Sequence, residues 1–459
     1  MQSARKGYSS IASDGYGDTP ATGAIHSSKG SKSYHIKAMV GFSSLFLLGV
    51  LSRNFYQTEE LQRADQSIPL SKSPIPLPKG VNLGAWLSLE DYFFVGKSGA
   101  IEVATLDGTI AGKCLPPLHV GQSTGPMWHS ETDLLSNLTS MNGGSVKKTI
   151  KTFHAFRTSY LDWDEELAQM AKLGIHRVRV PISWCLTDFD PSKDDILGKD
   201  VDGGGGGGDD DDDDNELQER YMCLDPFFFK EGSQVHWPAI PRPFLASFLR
   251  ACARHNIKAT LDIHTYPGGT SIGTFSGVWP RKPLFWKYDE PEHGEDDFGR
   301  KLFRSFIEWI ESLKDNDPVA FGGIGAITPM NEAAHLAGLY DDVESFLPSL
   351  PDHFAQDYLE ELNANAYEGS IVFPDGPHLR VLVWLRDALS YFRSSSLPSN
   401  GIEIHVNIIE SIFRSSLVSS YKDDADVHRP HATALFGAWW KASTSQHERA
   451  AWAVLDVHQ

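Results

Sequence analysis

Six short β-forming runs recur from residue 80 onward, separated by stretches with helical apolar spacing, and this alternation constrains the fold more than any other feature. The runs are 80–87 (GVNLGAWL), 176–184 (HRVRVPISW), 258–264 (KATLDIH), 323–331 (GIGAITPMN), 403–409 (EIHVNII) and 452–458 (WAVLDVH). Between them, segments such as Trp163 to Leu173, Arg242 to His255 and Gly299 to Leu313 carry apolar residues at i, i+3 and i+4, the period of an amphipathic helix. Strands that alternate with helices pair in parallel, because each crossover returns the chain to the same end of the sheet. The fold class is α/β.

Alternate residues of a strand share a face. In 258–264 this separates Ala259, Leu261 and Ile263 from Thr260, Asp262 and His264. In 176–184 it separates Val178, Val180 and Ile182 from Arg177, Arg179 and Pro181, and in 452–458 Ala453, Leu455 and Val457 from Val454, Asp456 and His458. Three strands thus send polar side chains to one face near their C-terminal ends. A (β/α)8 barrel of the TIM type accounts for that, because its catalytic groups sit at the C-terminal ends of the strands. An open doubly wound sheet is the alternative, but no G-x-G-x-x-G or P-loop follows any run.

Charge narrows the partners. Against 41 Lys and Arg stand 60 Asp and Glu, a net charge of −19 that falls only to −13 without the six aspartates Asp209 to Asp214. Such a surface repels phosphate backbones, so nucleic acid is not an expected partner. Cys114, Cys185, Cys223 and Cys252 are too few for a disulfide scaffold and lack paired C-x-x-C spacing. No cofactor motif is found, and no metal is expected.

The N-terminal part reads differently from the rest. Residues 1–37 are polar and rich in Ser and Gly, and Ala38 to Leu51 form the only long apolar run. Fourteen residues is short for a membrane span and also suits a signal-peptide core. The long polar leader favours a signal anchor within 38–54, with Lys29, Lys32 and Lys37 before the run and Arg53 and Arg63 after it. Expected localisation is therefore a membrane-anchored (type II) or secreted protein with a lumenal or extracellular body. Asn137-Leu138-Thr139 is a glycosylation acceptor consistent with that side. Residues 55–78 are polar, then Pro-rich, as a stalk would be. The folded body is expected over 79–459. About 188–233 contains six glycines followed by six aspartates, read as a disordered surface insertion because it has little to bury. Cys185 and Cys223 flank the Gly/Asp run, and in an oxidising compartment could close its base.

The most telling residues are Asn331 and Glu332. Neighbours on a regular strand face opposite ways, so both reach one site only if the strand ends or bulges there. A carboxyl at a barrel mouth, beside an amide and near His264, Arg179 and His458, suits general acid/base work on a glycosidic oxygen.

Together these motifs resemble glycoside hydrolase family 5, and within it the fungal exo-1,3-β-glucanase branch. The resemblance runs from about Lys79 to the C-terminus. Gly80 to Leu87 is similar to that branch's opening strand, GVNLGGWL; Arg179 in VRVPISW takes the place of its site arginine and His264 in LDIHTYPGG that of its site histidine. Asn331-Glu332 matches the pair that supplies the acid/base, with Ala333 where proline is usual, and Asp456-Val457-His458 resembles the sixth-strand D-x-H. The resemblance implies a β-glucan substrate and a retaining mechanism. Asn331 would bond the sugar 2-hydroxyl, Glu332 would protonate the leaving oxygen, and a second glutamate would form the glycosyl intermediate. Trp86, Trp184 and Trp279 are candidates for sugar-stacking aromatics, and Asp262 and Asp456 for binding carboxylates.

Two rival readings use the same residues. Asp262-x-His264 and Asp456-x-His458 could hold a metal, but the first strand has no histidine and the fourth offers only Asn331 and Glu332. A membrane-tethered glucan-binding protein that has lost turnover is the other. It connects with a strand count: a closed barrel needs eight strands, six are read, and the sixth ends at His458. The tyrosine and nucleophilic glutamate of the resembling family would lie downstream, and Glu410 on the fifth strand is a poor substitute. On this reading the chain as given is not expected to hydrolyse glycosides.

Overall fold

The computed structural model describes residues 79–90, 101–104, 110–114, 128–191, 211–271, 273–289, 297–332, 348–365, 373, 375–409 and 432–458. The chain divides into two units, Met1–Pro76 and Leu77–Gln459, and every described residue lies in the second. The apolar run, the stalk, Glu410 and residues 192–210 lie outside the described residues.

The six runs form one sheet, with strands β1 (Lys79–Asn82), β2 (Ile175–Ser183), β3 (Lys258–Thr265), β4 (Ile324–Thr328), β5 (Glu403–Ile409) and β6 (Ala453–His458) in chain order across it. Every neighbouring pair is parallel. Each new strand is therefore laid on the same side of the last, as in a barrel wall; a doubly wound sheet reverses direction midway. The sheet is also curled. β2 and β5 are three strand spacings apart, which at ~4.8 Å each would be roughly 14 Å in a flat sheet. Yet Arg177 Nη1 lies 2.6 Å from Glu403 Oε2 and 3.0 Å from His405 Nε2, so the polar faces of β2 and β5 look at one another. This is the six-stranded wall of a (β/α) barrel.

α1 (Glu131–Met141) and α2 (Val146–Ser159) build an apolar cluster of their own, while α3 (Glu165–Lys172), α4 (Pro226–Lys230), α5 (Arg242–Arg254), α6 (Phe298–Asn316), α7 (His378–Ser394) and α8 (Ala432–Ser443) each put residues into the core that the sheet shares. In α6 the buried residues Phe303, Phe306, Ile307, Ile310 and Leu313 make one stripe. Val178, Val180 and Ile182 from β2 and Ala259, Leu261 and Ile263 from β3 join the same core, each large apolar side chain contributing roughly 1.5–3 kcal/mol by burial. Among the described residues no helix is long and apolar enough to cross a membrane.

Two expectations change. β1 stops at Asn82 rather than Leu87: the chain then turns, with Ala85 at φ 57, and drives Trp86 and Leu87 into the convex-face core. The segment about 188–233 is ordered in its described second half. A helix spans Asp211–Tyr221, with Leu217 and Tyr221 buried four residues apart on one face. Asp214 accepts the Lys147 N–H at 3.2 Å, and the Asp run sits at the helix start, where acidic residues are favoured. The Cys185–Cys223 disulfide is present, with Cα atoms 5.8 Å apart.

Candidate active site

The inward rows of β2 to β5 converge at the C-terminal ends of their strands. Asp262, 0% exposed, is central: its Oδ2 forms an ion pair with Arg179 Nη2 at 2.8 Å and faces His264 Nδ1 at 3.0 Å. The same guanidinium donates to Asn331 Oδ1 at 2.6 Å. Asn407 of β5 joins by donating from Nδ2 to Asn331 Oδ1 at 3.3 Å, and its own Oδ1 accepts the Glu332 N–H at 2.7 Å. One continuous polar chain thus crosses four strands and ends on the backbone of Glu332.

The strand end explains how adjacent residues share this site. β4 finishes at Thr328. Asn331 N–H then bonds the Ile263 carbonyl at 3.0 Å, and Glu332 takes φ 40, a left-handed conformation uncommon for a side chain of this size. Asn331 is buried and Glu332 half-buried.

His264 is held from both sides. Beyond Asp262, its Nε2 lies 3.2 Å from Glu90 Oε1, an ion-pair distance without hydrogen-bond alignment. Burial opposes charge on the ring, but Glu90 and Asp262 together outweigh it and push the imidazole up to about 10. At neutral pH His264 is therefore an imidazolium committed to two carboxylates, suited to fixing them rather than shuttling a proton. Behind it Glu131 is fully buried, with neither carboxyl oxygen hydrogen-bonded and Arg157 Nη2 4.0 Å away. Desolvation dominates, and its pKa rises to about 8.

The other predicted residues divide. Asp456 pairs in register with Asn407 of β5 and is half-buried, while the side chain of His458 lies outside the described residues. Trp86 is 0% exposed, donates its indole N–H to the Arg157 carbonyl at 2.8 Å and stacks on Tyr160. Trp184, just after β2, packs edge-on to Trp237 and Phe298. Trp86 is a packing residue in this structure, turned into the core by the turn after β1, whereas Trp184 follows the end of β2 and is half-buried. Trp279 is half-buried at the loop held by Ser130, whose Oγ donates to its carbonyl at 2.6 Å.

Glu90, Glu131 and Asn407 are additions. Asn407 was readable, since β5 alternates Glu403, His405 and Asn407 on one face; Glu90 and Glu131 follow no period. No group of metal-ligating side chains occurs among the described residues.

No protein-family model and no curated protein matches the chain. Solved structures show remote likeness. An endoglucanase from Pseudomonas stutzeri in complex with cellobiose is 13% identical, covering 61% of this chain and 62% of that one, at a TM-score of 0.21. A hyperthermophilic endocellulase from Pyrococcus horikoshii is 12% identical over 64% of this chain and 68% of that one, at 0.22. A further glycoside hydrolase is 15% identical over 64% and 80%, at 0.19. The chain thus spans less than two thirds of the Pseudomonas enzyme; the fold assignment above rests on the strand order and curl.

Proposed function

We propose that this mouth binds a β-glucan and belongs to a glycoside hydrolase in which Glu332 donates the proton to the leaving oxygen. One observation carries the reading: the Arg179–Asn331–Asn407 chain orients a buried amide and ends on the backbone of the adjacent glutamate. An oriented amide beside a proton donor is what a sugar 2-hydroxyl and a glycosidic oxygen require. The preferred linkage in this reading is β-1,3 and the mechanism retaining. We keep Trp279, half-buried, as the candidate aromatic for a sugar face. The Cys185–Cys223 disulfide supports a body in an oxidising compartment, and we read residues 38–51 as its membrane tether, testable by protease protection in sealed vesicles.

The test is reducing-sugar release from laminarin and from a cello-oligosaccharide, with and without chelator, paired with calorimetric binding of both. Glu332→Gln should retain binding while hydrolysis drops ~10²–10⁴-fold, because the amide keeps the shape but cannot donate the proton. Near wild-type turnover in that variant would remove the assignment, and binding without any turnover by the wild type would favour the glucan-binding alternative.

A further inference from the structure

Asp225 lies outside the mouth and is 0% exposed. Its Oδ1 accepts the N–H groups of Phe227 and Phe228 at 2.9 and 3.1 Å, capping α4. Its Oδ2 accepts the Trp237 indole N–H at 2.9 Å and the Gly268 N–H at 2.6 Å. Four donors occupy about all the lone-pair directions of a carboxylate, so it has nothing left for a ligand. It is a joint, and two residues before it Cys223 is bonded to Cys185 at the end of β2.

The joint holds the loop that follows β3. Gly268 has φ 72, and a Cβ there would meet the Phe227 ring at 2.9 Å and Phe285 N at 3.0 Å, so the backbone is seated directly on α4. The Gly268 carbonyl accepts from Leu284 N–H at 2.8 Å, and the Thr270 carbonyl from Trp286 Nε1 at 2.8 Å. From this seat the loop reaches across to the end of β4. Tyr266 Oη donates to the Pro329 carbonyl at 2.5 Å, and Ser271 Oγ to the Glu332 carbonyl at 3.3 Å.

The strained backbone at Glu332 persists only if its surroundings over-determine it. Three contacts do so: Asn407 on its N–H, Ser271 on its carbonyl and Tyr266 three residues upstream. Two of the three belong to the loop that Asp225 seats. We propose that Asp225 is a positioning residue for Glu332, acting through residues 266–271. The glutamate's role as proton donor rests on the function proposed above; the mechanical coupling does not.

Hydrogen exchange on the full chain, well below its unfolding temperature, tests the coupling. In Asp225→Asn the side-chain NH₂ must face donors, so one of the two ties is lost. Amides 330–332 should exchange about tenfold faster, the scale of one lost buried hydrogen bond, while 178–182 and 404–407 keep their wild-type rates. Affinity for a laminari-oligosaccharide should fall by a similar factor. Loosening confined to 266–271, or spread evenly over all strands, overturns the proposal. If Asp225→Asn does not fold, Tyr266→Phe decides, because it removes the Pro329 tie at nearly constant volume: faster exchange at 330–332 supports the coupling, and unchanged exchange overturns it. A wild type that binds no glucan while these amides respond as described sinks the substrate and leaves the coupling standing.

Discussion

The concave face of the sheet carries two polar clusters, one at each end of the strands, and their contrast separates a site from a brace. At the N-terminal end Arg177, Glu403 and His405 meet within 3.0 Å, with side chains 26%, 30% and 16% exposed. Water screens these groups, and the His405 and Arg177 contacts hold the Glu403 carboxyl down at about 2. At the C-terminal end Glu90, Asp262 and His264 are at most 7% exposed; burial drives Glu131 up, and Glu90 with Asp262 raises His264 against burial. Facing inward and being polar is common to both. Removal from water marks only the second.

The largest test of that contrast is a pair of truncations. Arg179→Ala should cost ~3–5 kcal/mol in urea unfolding, because it breaks an ion pair with buried Asp262 and leaves that carboxylate to His264 alone. Arg177→Ala should cost about 1 kcal/mol or less, as for a screened pair. Equal costs would mean that the two clusters do not differ in solvation.

A smaller effect comes from pH, with opposite signs at the two ends. His264 rises from 6.5 to about 10 in the folded chain, so its contribution is complete below 6.5 and is lost as pH climbs through 10. Glu131, raised from 4.5 to about 8, has the same sign over its own interval. Glu403, lowered from 4.5 to about 2, contributes above 4.5 and loses that contribution as pH falls. The melting temperature should therefore decline between pH 6.5 and 10, and Glu403→Gln should flatten only the acid limb. Glu131→Gln should flatten the rise-of-pH loss between 4.5 and 8 and raise the melting temperature at pH 8.5; a lower value there would show that the carboxyl is ionised and paired. The smallest effect expected is from deleting Gly203 to Gly208, ahead of the helix that starts at Asp211: about 1 kcal/mol or less, because a polar glycine run contributes no buried apolar area.

The fold and the centre of the site were legible for one reason: a period of two exposes which residues share a face. Arg179, Asp262 and His264 converge as their rows implied, and the strand ends before Asn331 and Glu332. Tryptophan placement was not legible, because Trp86 is positioned by a turn after Asn82 and by packing from α2 and α5, contacts distant in sequence. The segment around the aspartates misled through its average composition. Glycine and aspartate hide Leu217 and Tyr221, whose spacing of four is enough to seat a helix. Glu131 has no sequence signature at all, since its importance lies in what α1 buries against.

The order of the strands also sets an order of assembly. Each strand pairs with the one made before it, so the wall can grow from its N-terminal edge as the chain leaves the ribosome. The Arg177–Glu403 contact spans 226 residues, and Asn407 follows it on the same strand. Until β5 emerges, Arg177 and Asn331 have no partner from that side and Glu332 lacks the acceptor for its N–H. Nascent chains stalled between β4 and β5 would carry most of the core with a slack mouth, and the acquisition of a defined site would be a late event in synthesis, governed by the slow closure of long-range contacts.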